Sequence, residues 1–154
     1  MTICRWMKLG IAASATAATI ACSDGFAVPD GMTLHSAARE ACGPSGGPAV
    51  EIYLASEPIE TFEPDPPYVR IYIPGPVSDL AGETLVLAGA EPDATAWFYL
   101  TATESEAASS GSLVVLDVEG NNTVEGRVDA TFPQAGRIRG EFRAPWIPRS
   151  SGCP

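Results

Sequence analysis

The run TVEGRVDATFPQAGRIRGEFRAPW at 123–146 decides how this chain folds. On either side of Pro133-Gln134-Ala135-Gly136 the residues alternate between two sets. In 123–132, Val124, Gly126, Val128, Ala130 and Phe132 alternate with Glu125, Arg127, Asp129 and Thr131. In 137–146, Ile138, Gly140, Phe142 and Ala144 alternate with Arg137, Arg139, Glu141 and Arg143. A period of two is that of a strand with one face on a core. Antiparallel pairing must set charged positions against charged ones, because a one-residue slip turns each apolar set into water. Pairing Asp129 with Arg139 also pairs Arg127 with Glu141 and Glu125 with Arg143. A shift by two residues either way sets Arg127 against Arg143 or Arg139. Each opposite pair contributes about 0.2–1 kcal/mol, and like pairs cost about as much. The same register sets Gly126 against Phe142 and Val128 against Gly140, small against large. The five C-terminal arginines, Arg149 included, thus read as a surface ladder rather than an anion site.

The same alternation runs back along the chain. Short apolar runs broken by turn residues predict strands at 49–55, 67–73, 84–89, 95–103 and 111–118, ahead of 123–132 and 137–146. Pro64, Pro66 and Pro67 mark one loop; Pro74-Gly75-Pro76, Glu91-Pro92-Asp93 and Gly120-Asn121-Asn122 mark the others. The expectation is an all-β domain over 48–154, with about seven mostly antiparallel strands in a sandwich or partly closed barrel. Residues 22–47 are small and polar and read as a tether, with a helical turn or two around Leu34–Ala41. His35, the only histidine, falls in that tether.

At the N-terminus, Arg5 and Lys8 precede an acid-free stretch, Leu9–Ala21, rich in alanine and threonine and ending Thr19-Ile20-Ala21-Cys22. A cationic segment, a short apolar segment and small residues at a cut site are the layout of an export signal. It is too weakly apolar and too short for a permanent span. The leader, 1–21, resembles the signals of bacterial lipoproteins. That resemblance implies cleavage before Cys22, lipid on Cys22, and a mature protein held at the cell envelope by the lipid. Ser23 after the cysteine resembles signals for sorting to the outer membrane. Ordinary cleavage after Ala21 or Ala27, or an uncleaved anchor, are the alternatives.

If Cys4 leaves with the leader and Cys22 carries lipid, Cys42 and Cys153 remain, an even pair in an exported domain and so a disulfide. Closing a loop of roughly 110 residues contributes about 4–5 kcal/mol in the chain-entropy picture. Loss of the leader also leaves seven basic residues, all arginine, against nineteen acids, and takes the net charge from −10 to −12. Such a chain repels nucleic acids and anionic lipid heads. Without lysine it has no Schiff-base chemistry.

The residues carry no recognisable catalytic set. A Ser-His-Asp or Cys-His arrangement needs a positioned histidine, and His35 reads as a linker residue. No zinc-ligand spacing and no phosphate-cradling glycine motif occurs, so no metal or cofactor is expected. Glu57, Glu60, Glu63 and Asp65 crowd one proline-rich loop. Paired carboxylates there would permit glycoside hydrolysis or calcium binding, but solvated loop charge is the plainer reading. The aromatic residues are more telling. Tyr68, Arg70 and Tyr72 share one strand face, Trp97 and Tyr99 another, and Tyr53 is in phase with Glu51. If their strands are neighbours, these six side chains form a strip facing away from the main core. Such a strip suits a carbohydrate or small-ligand platform. The competing expectation is that the tether or a second layer covers it. The sequence thus points to a non-catalytic binding or structural domain, with the ligand platform and a carboxylate-dependent hydrolase as alternatives.

Overall fold

The computed structural model describes residues 33–59, 64–120 and 122–147. They form nine strands: β1 (Thr33–Cys42), β2 (Pro48–Ala55), β3 (Tyr68–Pro74), β4 (Thr84–Val86), β5 (Thr95–Tyr99), β6 (Ser105–Ala107), β7 (Ser110–Val118), β8 (Thr123–Phe132) and β9 (Gly136–Ile147), with a 3-10 turn at Val77–Asp79. All nine belong to one sheet in the order β4-β7-β8-β9-β1-β2-β3-β5-β6. The pairing is antiparallel except between β1 and β9, which run parallel. The sheet curls into a half-barrel rather than splitting into two sandwich layers.

The β8–β9 register is the one the charges require. Asp129 faces Arg139, Arg127 faces Glu141, Glu125 faces Arg143, and Gly126 faces Phe142. A Cβ on Gly126 would lie 2.5 Å from the Val114 carbonyl oxygen and 2.7 Å from Phe142 Cζ, so glycine here makes room for the ring. The apolar phases of all the long strands point inward. Leu34, Ile52, Leu54, Ile71, Phe98, Leu113, Val115, Phe132 and Ile138 are among the buried core.

The two ends of the sheet order are laced together where β6 runs into β7. Ala108 N–H donates to Ala96 O of β5 and Ser109 N–H to Thr131 O of β8. Phe98 and Phe132 meet across this seam with centroids 5.8 Å apart, and the Glu106 carboxylate accepts from the Gln134 and Ala135 amides. At the other edge Ala94 N–H donates to Val86 O. These contacts leave little open strand edge, the usual liability of a sheet.

Three expectations need correction. Residues 33–42 are neither tether nor helix but β1, a central strand. Its Ala, Arg and Glu content favours helix in isolation, but packing on both faces overrides propensity. Leu34 and Ala38 enter the core, while Ala37 and Ala41 are buried on the opposite side. Small side chains suit a strand covered twice. His35 therefore stands on β1, exposed. Second, the expected strand 95–103 ends at Tyr99, and Thr101–Glu104 turns the chain into β6, with the Thr101 hydroxyl accepting from the Thr103 and Glu104 amides. Third, 84–89 shortens to β4: Leu87 N–H still donates to Gly111 O in the β4–β7 register, and the chain then turns away at Gly89.

Candidate functional site

The strip predicted from phase forms as a grid. Outward-facing residues of β1, β2, β3 and β5 align in three rows across the sheet. One row is Ala37–Tyr53–Arg70–Trp97. A second is His35–Ala55–Tyr68–Tyr99, and the third is Arg39–Glu51–Tyr72–Thr95. Tyr53, Tyr68, Arg70, Tyr72, Trp97 and Tyr99 are thus brought together on one face. Tyr53 is buried, at 3% exposure, while the other five are half-buried. The strip has a covered floor and a partly open rim.

Its rings are ordered. Tyr68 and Tyr99 stack at 4.8 Å with planes 14° apart, and Tyr53 leans on Tyr68 at 5.9 Å. In the row on the other side of Tyr53 lies Glu51, the one buried charged residue among those described. Its carboxylate accepts from Arg39 on one side, from Arg70 on the other, and from the Tyr53 hydroxyl at 2.9 Å. The Arg39 guanidinium also lies over the Tyr53 ring, 5.1 Å from its centroid, at cation–π range. Arg70 Nη1 reaches the Tyr99 hydroxyl at 3.5 Å.

Burial by itself would raise the Glu51 pKa. The Arg70 and Tyr53 hydrogen bonds and the two guanidinium charges outweigh it and hold the carboxyl below its ordinary value. Burial, followed by the Glu51 charge, pushes the Tyr53 phenol upward. For Arg70, burial works against the charge, but the Glu51 and Tyr99 hydrogen bonds raise its pKa. Glu51 thus stays ionised and fully engaged. A general acid needs the opposite shift, so this carboxylate is a structural hub.

The same face carries polar atoms shielded from solvent without a hydrogen-bond partner: Arg70 Nε, Tyr72 OH and Thr95 Oγ1. Native proteins pair nearly all such atoms, and orphans concentrate where something else binds or reacts.

The other singled-out residues do not converge. Glu57 and Asp65 are exposed, and Glu60 and Glu63 lie outside the described residues. Cys42 closes β1, whereas Cys22, Cys153 and the leader fall outside them too. Among the described residues no three His, Cys, Asp or Glu side chains gather to hold a metal ion, and no helix is long and apolar enough to cross a membrane. Arg127, Arg137, Arg139 and Arg143 form the expected ladder, and Arg149 lies outside the described residues. Arg127 Nε meets Glu141 at 2.8 Å and Arg143 Nε meets Glu125 at 3.0 Å. Asp129 departs slightly, taking two bonds from the diagonal Arg137 while Arg139, directly opposite, stays at 3.9 Å. The Arg137 bonds are the main reason the Asp129 carboxyl titrates low.

Sequence reasoning missed Glu51 as the hub and Arg39 as a member of the site. The signal for Glu51 was present, since it is the one charge inside Ala49–Ala55. Arg39 was hidden by the reading of its segment as tether. Comparison with protein-family models, with curated proteins and with solved structures returns no match.

Proposed function

We propose that this chain is an exported cell-envelope lipoprotein, anchored through Cys22, whose β domain is a non-catalytic binding module. Its ligand stacks on the outward ring face of β2, β3 and β5. The observation that carries the reading is the convergence of six side chains from three strands into one half-open array. Half-exposed tyrosine and tryptophan rings held in fixed positions offer flat apolar area with polar tips at little entropic cost. That matches the faces and hydroxyls of a saccharide.

The anchor and the disulfide gain support from the sheet. β1 starts at Thr33, eleven residues after Cys22. A lipid there would hold the domain within about 40 Å of the bilayer, at up to 3.6 Å per residue. The parallel pairing of Arg39 with Ile147 brings the end of β9 alongside the end of β1. Cys153 follows Ile147 by six residues, close enough in chain length to return to Cys42.

Two measurements test the reading. Intact mass of the mature protein should show a lipid increment on Cys22 and two protons missing from Cys42 and Cys153. An unmodified N-terminus at Val28 would remove the anchor and leave the domain reading standing. Titration with a panel of oligosaccharides, followed by tryptophan emission, should give saturable binding that Trp97→Ala and Tyr68→Ala weaken with the fold intact. A panel without any binder would sink the module.

A further inference from the structure

Charge on the ring face is shielded, unlike the exposed charge of the β8–β9 ladder. Among the described outward-phase positions of β1, β2, β3 and β5, Glu51 is the only acid, and it serves both Arg39 and Arg70. One carboxylate thus meets two guanidinium groups, within a chain whose net charge is −10. Of the two, Arg70 is the one that sits amid the rings. Arg70 lies between Tyr53 and Trp97 across the sheet and between Tyr68 and Tyr72 along β3. Its side chain is 33% exposed, against 15% for Arg39.

A guanidinium carries five N–H donors. On Arg70, Nη2 is committed to Glu51, and Nη1 makes one long contact to Tyr99. The group therefore keeps donor capacity beyond these two contacts, on a side chain that is one-third exposed. A planar guanidinium fork matches a carboxylate better than it matches a neutral hydroxyl.

We infer that the ring face selects saccharides that carry a carboxylate, of the uronic acid class, with the sugar stacked on the rim rings and its carboxylate on Arg70. This rests on the binding reading above and narrows it to one ligand chemistry. Glu51 is then a positioning residue: it binds both arginines and fixes Arg70 among the rings. The overall negative charge of the chain repels acidic polymers at long range, so recognition acts at contact distance. Salt is a poor discriminator for the same reason, because it screens that repulsion together with the local attraction.

Isosteric ligands separate the two effects. Short oligouronates of the galacto, manno and gluco series, each paired with its neutral methyl ester, are titrated into the full mature chain by calorimetry. Charge-assisted hydrogen bonding predicts that at least one free acid binds roughly tenfold or more tighter than its ester. Arg70→Gln should level acid and ester, while Arg70→Lys should keep part of the preference. If Arg70→Gln fails to fold, the acid-to-ester ratio on the unaltered protein decides alone. Equal affinity, or preference for the ester, overturns the inference and leaves the ring platform standing. Absence of binding by acids, esters and neutral oligosaccharides alike overturns both.

Discussion

On β8 and β9 opposite charges meet in water; on β1, β2 and β3 they meet shielded from it, beside the Tyr53 ring. Both are cross-strand pairs on the outer surface of the same sheet, yet they do different physical work. Arg127 and Glu141 are 61% and 58% exposed, and Glu51 only 5%. An exposed pair is screened and contributes little beyond choosing a register. A covered carboxylate has given up its water, so its partners become obligatory. The first half of the surface tells the strands where to pair. The second holds a specific arrangement of side chains in place.

The sharpest way to break this contrast is Glu51→Ala. It strands two partly covered guanidinium groups and should cost about 3 kcal/mol in urea unfolding. Because the Glu51 carboxyl titrates below its ordinary value of 4.5 when folded, its stabilisation is complete above that value. It is lost as pH falls through the lower folded value. Unfolding free energy should therefore drop below about pH 4.5, and Glu51→Gln should flatten that part of the profile. An unchanged profile would refute the hub.

Gly126→Ala tests the packing behind the ladder. Overfilling against Phe142 and the Val114 carbonyl should cost about 1–3 kcal/mol. Adding Phe142→Leu should recover part of that loss, and a strictly additive double variant would show that the ring is not the obstacle. Smallest of all, Arg127→Ala should cost no more than about 1 kcal/mol, less at high salt. A loss as large as that of Glu51→Ala would erase the distinction between the two surfaces.

The ladder half was fully legible because alternation, charge and residue size independently chose one register. The ring face was legible by phase alone: Tyr68, Arg70 and Tyr72 had to share a side, and β3 and β5 proved to be neighbours. What stayed hidden was decided by distant partners. Nothing local in Thr33–Cys42 announces a strand, since its alanines make sense only once its neighbours β9 and β2 and the burial of both its faces are known. β6 is three residues long, too short for any periodicity. Arg39 was lost with its strand, and with it the second arm around Glu51. That Asp129 leans to Arg137 depends on side-chain reach, which alternation does not encode.

The parallel seam between β1 and β9 has a further consequence for how the chain is made. β1 is the first described strand to emerge from a ribosome or a translocation pore, and β9 is the last. Hairpins β1–β2, β2–β3, β7–β8 and β8–β9 can form as they appear, but the β1–β9 seam stays open until β9 arrives. Closing such a long loop is the slow kind of contact. A nascent chain stalled anywhere before Gly136 would expose the unpaired edge of β1, making this edge the natural point of capture for a chaperone, a protease or a second stalled copy.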